Sequence, residues 1–104
     1  MKTKIELDFD DEMTAAIAVG KKCCTFRRTR HGVAGDRFDI AGQTYRISHI
    51  VFIRLRDAIP QYYADEGFAS PADMQAWCVE HYGEEWLDRY GYVHFFSVIK
   101  KPPF

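Results

Sequence analysis

An α+β fold, with a mostly antiparallel sheet curled into a barrel and flanked by helices, is what this sequence predicts. Three observations point there. The elements run strand, helix, strands, helices, strand, an order that mixes the classes without the strict alternation of a parallel sheet. Thr44 to Leu55 is dense in β-branched and aromatic side chains, enough for one long central strand, bent or bulged in the middle. Ala41-Gly42-Gln43 forms a tight hairpin turn just before it.

Each element has its own reason. Lys4 to Phe9 alternates polar and apolar residues and is expected to be a half-buried strand. Asp10 or Asp11 can cap a helix whose apolar stripe is Met13, Ala16, Ile17 and Val19, and Gly20 suits the left-handed position at its end. Cys24 to Thr29 reads as a strand with Thr25 and Arg27 on one face and Phe26 on the other. Thr29 to Gly35 is a loop, and Arg37 to Ile40 is the next strand. Asp57 to Tyr63 is a short helix interrupted by Pro60, and Asp65 to Phe68 is a turn. Ser70 caps and Pro71 opens a helix that Gly83 closes, with Met74, Trp77, Cys78 and His81 on its apolar face. Glu84 to Tyr90 contains a short helical turn, Tyr92 to Ile99 is the last strand, and Pro102-Pro103 halts pairing.

The 104 residues fit one domain spanning 1–104, and 47% hydrophobic residues suffice for a core. The net charge of −1 hides an uneven distribution: Lys21, Lys22, Arg27, Arg28, Arg30 and Arg37 crowd one stretch, while acids dominate from Asp57 to Asp88. Cys23, Cys24 and Cys78 are odd in number and lack a C-x-x-C spacing, which argues against a disulfide framework or zinc ribbon and for reduced thiols in the cytoplasm. The start is charged, without the apolar run of a signal peptide, and no stretch nears the ~20 apolar residues of a membrane span. The four histidines show no metal-binding spacing, so no metal or other cofactor is expected.

Chemistry concentrates in Gly20-Lys21-Lys22-Cys23-Cys24-Thr25-Phe26-Arg27. A helix end followed by a strand places a cation, a hydroxyl and a second cation within one turn. Lys22, with Lys21, Arg27 and Arg28 nearby, has reason to lose its proton, and a neutral amine beside a threonine hydroxyl forms a base and nucleophile pair. Taken alone, the same run reads first as a capped helix end followed by an amphipathic strand whose arginines face water. Glu66, before Gly67-Phe68, reads by itself as a solvated turn residue. Cys23 and Cys24 have no assigned role; a buried inert Cys24 and an exposed Cys23 are one arrangement, an adventitious nucleophile the other.

Gly20, Lys22, Thr25 and Arg27 resemble the G-x-K-x-x-T-x-R signature of the ASCH domain family. Gly35-Asp36, Asp65-Glu66-Gly67-Phe68, Trp77, His81-Tyr82-Gly83 and His94-Phe95 resemble further features of that family, in order. The resemblance implies a PUA-like barrel with its cleft lined by the signature. It also implies, for some members, hydrolysis of N4-acetylcytidine. Carried over, Lys22 is the base, Thr25 the nucleophile and Glu66 the proton-transfer partner. Gly20, Lys21, Arg27 and Arg28 line the substrate site, with Arg27 on the oxyanion or a polar substrate edge. The expected function is thus a metal-free amidohydrolase of N-acylated pyrimidine nucleosides. The alternative is a module that binds RNA or nucleotides, or cleaves RNA, through the basic run, Arg37 and Lys100-Lys101, without amidohydrolase activity.

Overall fold

The structure, a computed structural model, describes residues 4–100. Strands β1 (Cys24–Arg27), β2 (Arg37–Ile40), β3 (Gln43–Arg54) and β4 (Tyr90–Val98) form one antiparallel sheet in the order β1-β4-β3-β2. It curls into a half-barrel. Helices α1 (Asp11–Ala18), α2 (Leu55–Tyr62) and α3 (Pro71–Tyr82) flank it, with a 3-10 turn at Glu84–Asp88. Lys101, Pro102 and Pro103, named above for the basic tail and the end of pairing, lie outside the described residues.

The hairpin between β2 and β3 closes on two residues, Ala41 at φ 50° and Gly42 at φ 81°, with Ile40 opposite Gln43. Two positive φ angles match the right-handed twist of the flanking strands. In β3, Ile47 pairs with Phe96 and His49 with Phe95, so Ser48 is an extra, bulged residue. The bulge resets the alternation. Tyr45, Ile47 and Ile50 therefore share one face, and Val51 and Ile53 the other.

Both faces are covered, so two apolar clusters form. On one, Cys24, Phe26 and Val93 pack against Leu55, Ala58 and Ile59 of α2, Met74 and Cys78 of α3, and Leu87. On the other, Phe38, Tyr45, Ile47 and Phe96 pack against Leu7 and Ile17. Each such side chain taken fully out of water contributes about 1.5–3 kcal/mol before the entropy of ordering is counted.

The segment expected as a first strand is a correction. Burial alternates through Ile5, Leu7 and Phe9, but only Lys4 forms a bridge, parallel to Arg37, and Ile5 N–H donates to the Arg37 carbonyl. Beyond that point the segment leaves the β2 edge and crosses the open side of the sheet. Phe9 lands near Phe38 and Phe96, and the Asp8 carbonyl accepts from the Arg27 guanidinium of β1. Alternation reported which side chains face the core, and among the described residues no strand lies alongside to complete a ladder.

Asp10 is the cap of α1, its carboxylate accepting from Met13 N–H at 2.7 Å. Val19 falls off the expected stripe, 70% exposed, because the helix stops at Ala18. Gly20, at φ 81°, then lets Gly20 N–H reach the Ile17 carbonyl and Lys21 N–H the Ala16 carbonyl, closing the helix end. Pro60 does not interrupt α2. It and Arg56 are both exposed, so the carbonyl that loses its intrahelical partner faces water, while buried Ala58 and Ile59 hold the helix down. In α3 the Ser70 cap and Pro71 stand as expected, but His81 is exposed, stacked 3.8 Å from Trp77. Compared with expectation, β1 ends earlier, at Arg27, and β4 starts earlier, at Tyr90.

Gly91 has no room for a side chain: a Cβ there would sit 2.3 Å from Phe26 Cζ and 2.8 Å from the Arg27 carbonyl oxygen. Around Gly20 nothing lies within 4 Å. Gly91→Ala is expected to cost about 1–3 kcal/mol by overpacking, and Gly20→Ala about 1–2 kcal/mol by conformational strain alone. Urea unfolding of both variants checks this. The Gly91 variant should also shift the chemical environment of Phe26, and the Gly20 variant should not.

Candidate functional site

β1 is an edge strand, so the outward N–H groups of Cys24 and Phe26 need partners that the sheet does not supply. The turn after α2 supplies them. The Asp65 carbonyl accepts from Cys23 N–H at 2.7 Å and Cys24 N–H at 3.3 Å, and Glu66 Oε1 accepts from Phe26 N–H at 3.1 Å. Glu66 is thereby pulled inside, 5% exposed. The expectation of a solvated residue is corrected: Glu66 belongs to the turn, but the Phe26 N–H draws its side chain out of water.

Lys22 enters the same place from the end of α1. Its Nζ donates to the Glu66 carbonyl at 3.2 Å and stands 3.5 Å from Glu66 Oε1, across 44 residues of sequence. At 2% exposed, Lys22 is among the most buried side chains of the protein. Its nearest charge is this carboxylate, not the neighbouring cations of the sequence. Burial drives the Glu66 carboxyl above its ordinary acidity range, with Lys22 and the Phe26 N–H pulling the other way. The second carboxylate oxygen, Glu66 Oε2, has no hydrogen-bond partner among the described residues. A buried acceptor left open in this way is costly unless something takes it up.

A cavity of about 370 Å³ adjoins the pair. Lys21, Lys22, Glu66 and Gly67 line it, with Phe68 and Trp77 as aromatic walls and Asp10 and Glu12 from α1 among its other lining residues. That volume falls in the range of small-molecule sites. Of the residues singled out from the sequence, Lys21, Lys22 and Glu66 meet here. Thr25 sits on β1, 4% exposed, and is not in the cavity lining. Gly20 ends α1. Arg27 is held over the Phe9 ring, 4.9 Å from its centre. Arg28 lies over Tyr82 and Trp86, at 5.5 and 5.9 Å.

His94 escaped the sequence reading as a site residue. It is fully buried on β4, directly across from Thr25. Its Nε2 lies 2.9 Å from His31 N–H and so must accept, which puts the ring proton on Nδ1, 3.3 Å from the Thr25 carbonyl. Burial lowers its basicity, and His31 is shifted the same way. The ring therefore fastens the 28–36 crossover to the strand that carries Thr25. Only the pairing of β1 with β4 reveals this, and no spacing in the sequence encodes it.

All three cysteines are free, Cys23 exposed and the other two buried. Burial raises every one of these thiols, Cys78 to about 12, and Asp65 beside Cys23 adds to its rise. None is set up as a nucleophile at neutral pH. Among the described residues, no cluster of three or more His, Cys, Asp or Glu side chains could hold a metal ion, and no helix is long and apolar enough to cross a membrane.

No family model and no curated protein matches this chain. Solved structures do. The crystal structure of the hypothetical protein PH0355 aligns with a TM-score of 0.73 at 19% identity, over 95% of this chain and 100% of that one. The solution structure of protein PF0455 from Pyrococcus furiosus aligns with a TM-score of 0.64 at 17% identity, over 97% of this chain and 100% of that one. These proteins share the curled antiparallel half-barrel; at such identities the likeness is one of fold.

Two outcomes follow. Lys22→Met alone leaves a buried carboxylate without its cation and should cost about 3–5 kcal/mol, much of it regained in Lys22→Met/Glu66→Leu; a denaturant double-mutant cycle measures this. For His94, a folded-state pKa below the ordinary 6.5 means that the unfolded chain takes up the proton first as pH falls. Stability should therefore decline as pH drops through about 6.5 towards the folded-state value. Glu66, raised above 4.5, works oppositely, costing stability as pH rises through its window. The difference between wild type and His94→Gln isolates the histidine: the acid-side decline should shrink in the variant.

Proposed function

We propose that this protein is an ASCH-type, PUA-like domain that hydrolyses the amide of an N-acylated pyrimidine nucleoside, of the N4-acetylcytidine kind. The observation that carries the reading is the buried Lys22–Glu66 pair with Glu66 Oε2 unpartnered, beside a cavity walled by Phe68 and Trp77. The G-x-K-x-x-T-x-R run and the fold shared with the two archaeal structures support it.

The chemistry asks for a base, a nucleophile and an acid. Moving one proton from Lys22 to Glu66 converts the ion pair into a neutral amine and a carboxylic acid, and the burial that raises the Glu66 carboxyl favours the acid form. The Thr25 hydroxyl, on β1 and outside the cavity lining, must come within reach of Lys22, which then takes its proton as the oxygen attacks the acyl carbon. Glu66 gives its proton to the departing N4 of the base, the C–N bond breaks, and an acyl-threonine ester remains. Water attacks that ester, giving a proton to Glu66 as Lys22 returns one to the departing Thr25 oxygen, which releases the carboxylic acid and restores the starting pair. Phe68 and Trp77 supply flat apolar surface for the pyrimidine ring.

Purified protein incubated with N4-acetylcytidine in the presence of a chelator should release acetate and cytidine. Lys22→Ala and Glu66→Gln should each lose about 100-fold or more in kcat, the usual worth of a positioned acid or base. Thr25→Ala should abolish turnover, and Thr25→Ser should retain part of it. Turnover that survives Thr25→Ala but not Lys22→Ala would pass the nucleophile role to a water. No acetate from a folded wild type would sink this substrate.

A further inference from the structure

The turn after α2 seals the β1 edge, but the opposite side of the sheet is sealed only in part. β2 pairs with β3 as far as Arg46, and the Asp36 carbonyl then takes the Ile47 N–H. Among the described residues no strand lies beside the rest of β3. The register tells which groups are left over. Phe96 N–H donates to the Cys23 carbonyl, so Phe96, His94 and Tyr92 turn their backbone groups towards β1. Phe95, Val93 and Gly91, between them, turn theirs towards β3, where His49, Val51 and Ile53 complete the ladder. Ile50 and Phe52 therefore aim both N–H and C=O outward, along the bare edge. The run that carries them, His49-Ile50-Val51-Phe52-Ile53, holds no acid, lysine, arginine or proline, the residues that ordinarily keep an edge from pairing. β2, by contrast, carries exposed Arg37 and Asp39.

Edge groups in this pattern are answered by a copy of themselves. A two-fold axis beside Val51 sets Ile50 against Phe52 of the second copy, and Phe52 against its Ile50, so that each outward N–H meets an outward C=O. Cross-strand partners share a face, so the Phe52 ring of one copy lies on the Ile50 side chain of the other. Phe52 is 61% exposed and Ile50 half-buried, which leaves both with apolar surface to cover. The ring is already held in place, 5.1 Å from both Tyr90 and Tyr92, and loses little freedom on association. The charges agree with the same axis. Arg54 falls towards Ser48 of the second copy and keeps its own pair with Asp57, so no like charges are set face to face.

We propose that the outer edge of β3 binds a second copy of this chain, antiparallel about that two-fold axis, joining the two sheets into one with Phe52 as the central anchor. The edge shares no residue with the lining of the Lys22–Glu66 cavity, so the pairing is independent of the chemistry there.

Sedimentation velocity over a concentration series, paired with residue-resolved amide hydrogen exchange, tests the proposal. The wild type should pass from monomer to dimer as concentration rises. Over the same series the Ile50 and Phe52 amides should become protected, while those of Val51 and Ile53, already in the β3–β4 ladder, should stay slow throughout. Phe52→Asp, at an exposed position where circular dichroism should report an unchanged fold, should raise the dissociation constant about 30-fold or more, as the loss of a central anchor does. Phe52→Tyr should keep the dimer. A wild type that stays monomeric at every concentration overturns the proposal, as does a dimer that a folded Phe52→Asp variant leaves intact. So does a dimer in which the Ile50 and Phe52 amides exchange as fast as in the monomer, which would place the contact elsewhere on the chain.

Discussion

The Glu66 carboxylate and the Asp65 carbonyl beside it close an edge that the sheet cannot close for itself. β1 has only β4 as a strand neighbour, and two of its outward N–H groups are answered by the turn after α2. Once a carboxylate performs that task it lies away from water, and a cation must accompany it. Lys22 is that cation, delivered by the tight end of α1. A sheet edge, a helix end and an interhelical turn are thus joined by one oxygen atom, Glu66 Oε1, with Oε2 left as the open acceptor of the assembly.

The cost of this arrangement points toward function. A buried ion pair is seldom a net source of stability, since desolvation offsets the attraction. An apolar plug could cover the same edge, although it could not accept from the Phe26 N–H. Keeping a charge pair with an unsatisfied oxygen at a cavity wall makes more sense where proton traffic is required than where mere closure is required.

Much of the fold could be read from local chemistry, because caps, turns and alternation act over a few residues. Asp10, Gly20, the Ala41-Gly42 turn, Ser70-Pro71 and the bulge in the long strand all belong to that class. What failed was non-local. Ile5, Leu7 and Phe9 alternate as a strand would, yet their pattern reports only burial, and partners for a ladder were never encoded there. Pro60 looked like a break because its effect depends on whether the freed carbonyl meets water. At the site, Lys22 stood out within its own segment, whereas Glu66 gained meaning only through the family resemblance. His94 entered the reading only as part of the resemblance of the last strand, and its role shows only when β1 pairs beside it.

The position of β4 also governs the order in which the molecule can be assembled. It is the last of the described strands in sequence and the one between β1 and β3. During synthesis, therefore, β1 emerges with neither its ladder partner nor the turn that seals its other side, and Phe26 and Cys24 wait exposed until both arrive. Contacts of such long sequence separation slow folding and lengthen the time an unpaired strand is available to other chains. The charged residues that flank β1, Lys21 and Lys22 before it and Arg27 and Arg28 at and after its end, then gain a second use as gatekeepers of an unfinished sheet.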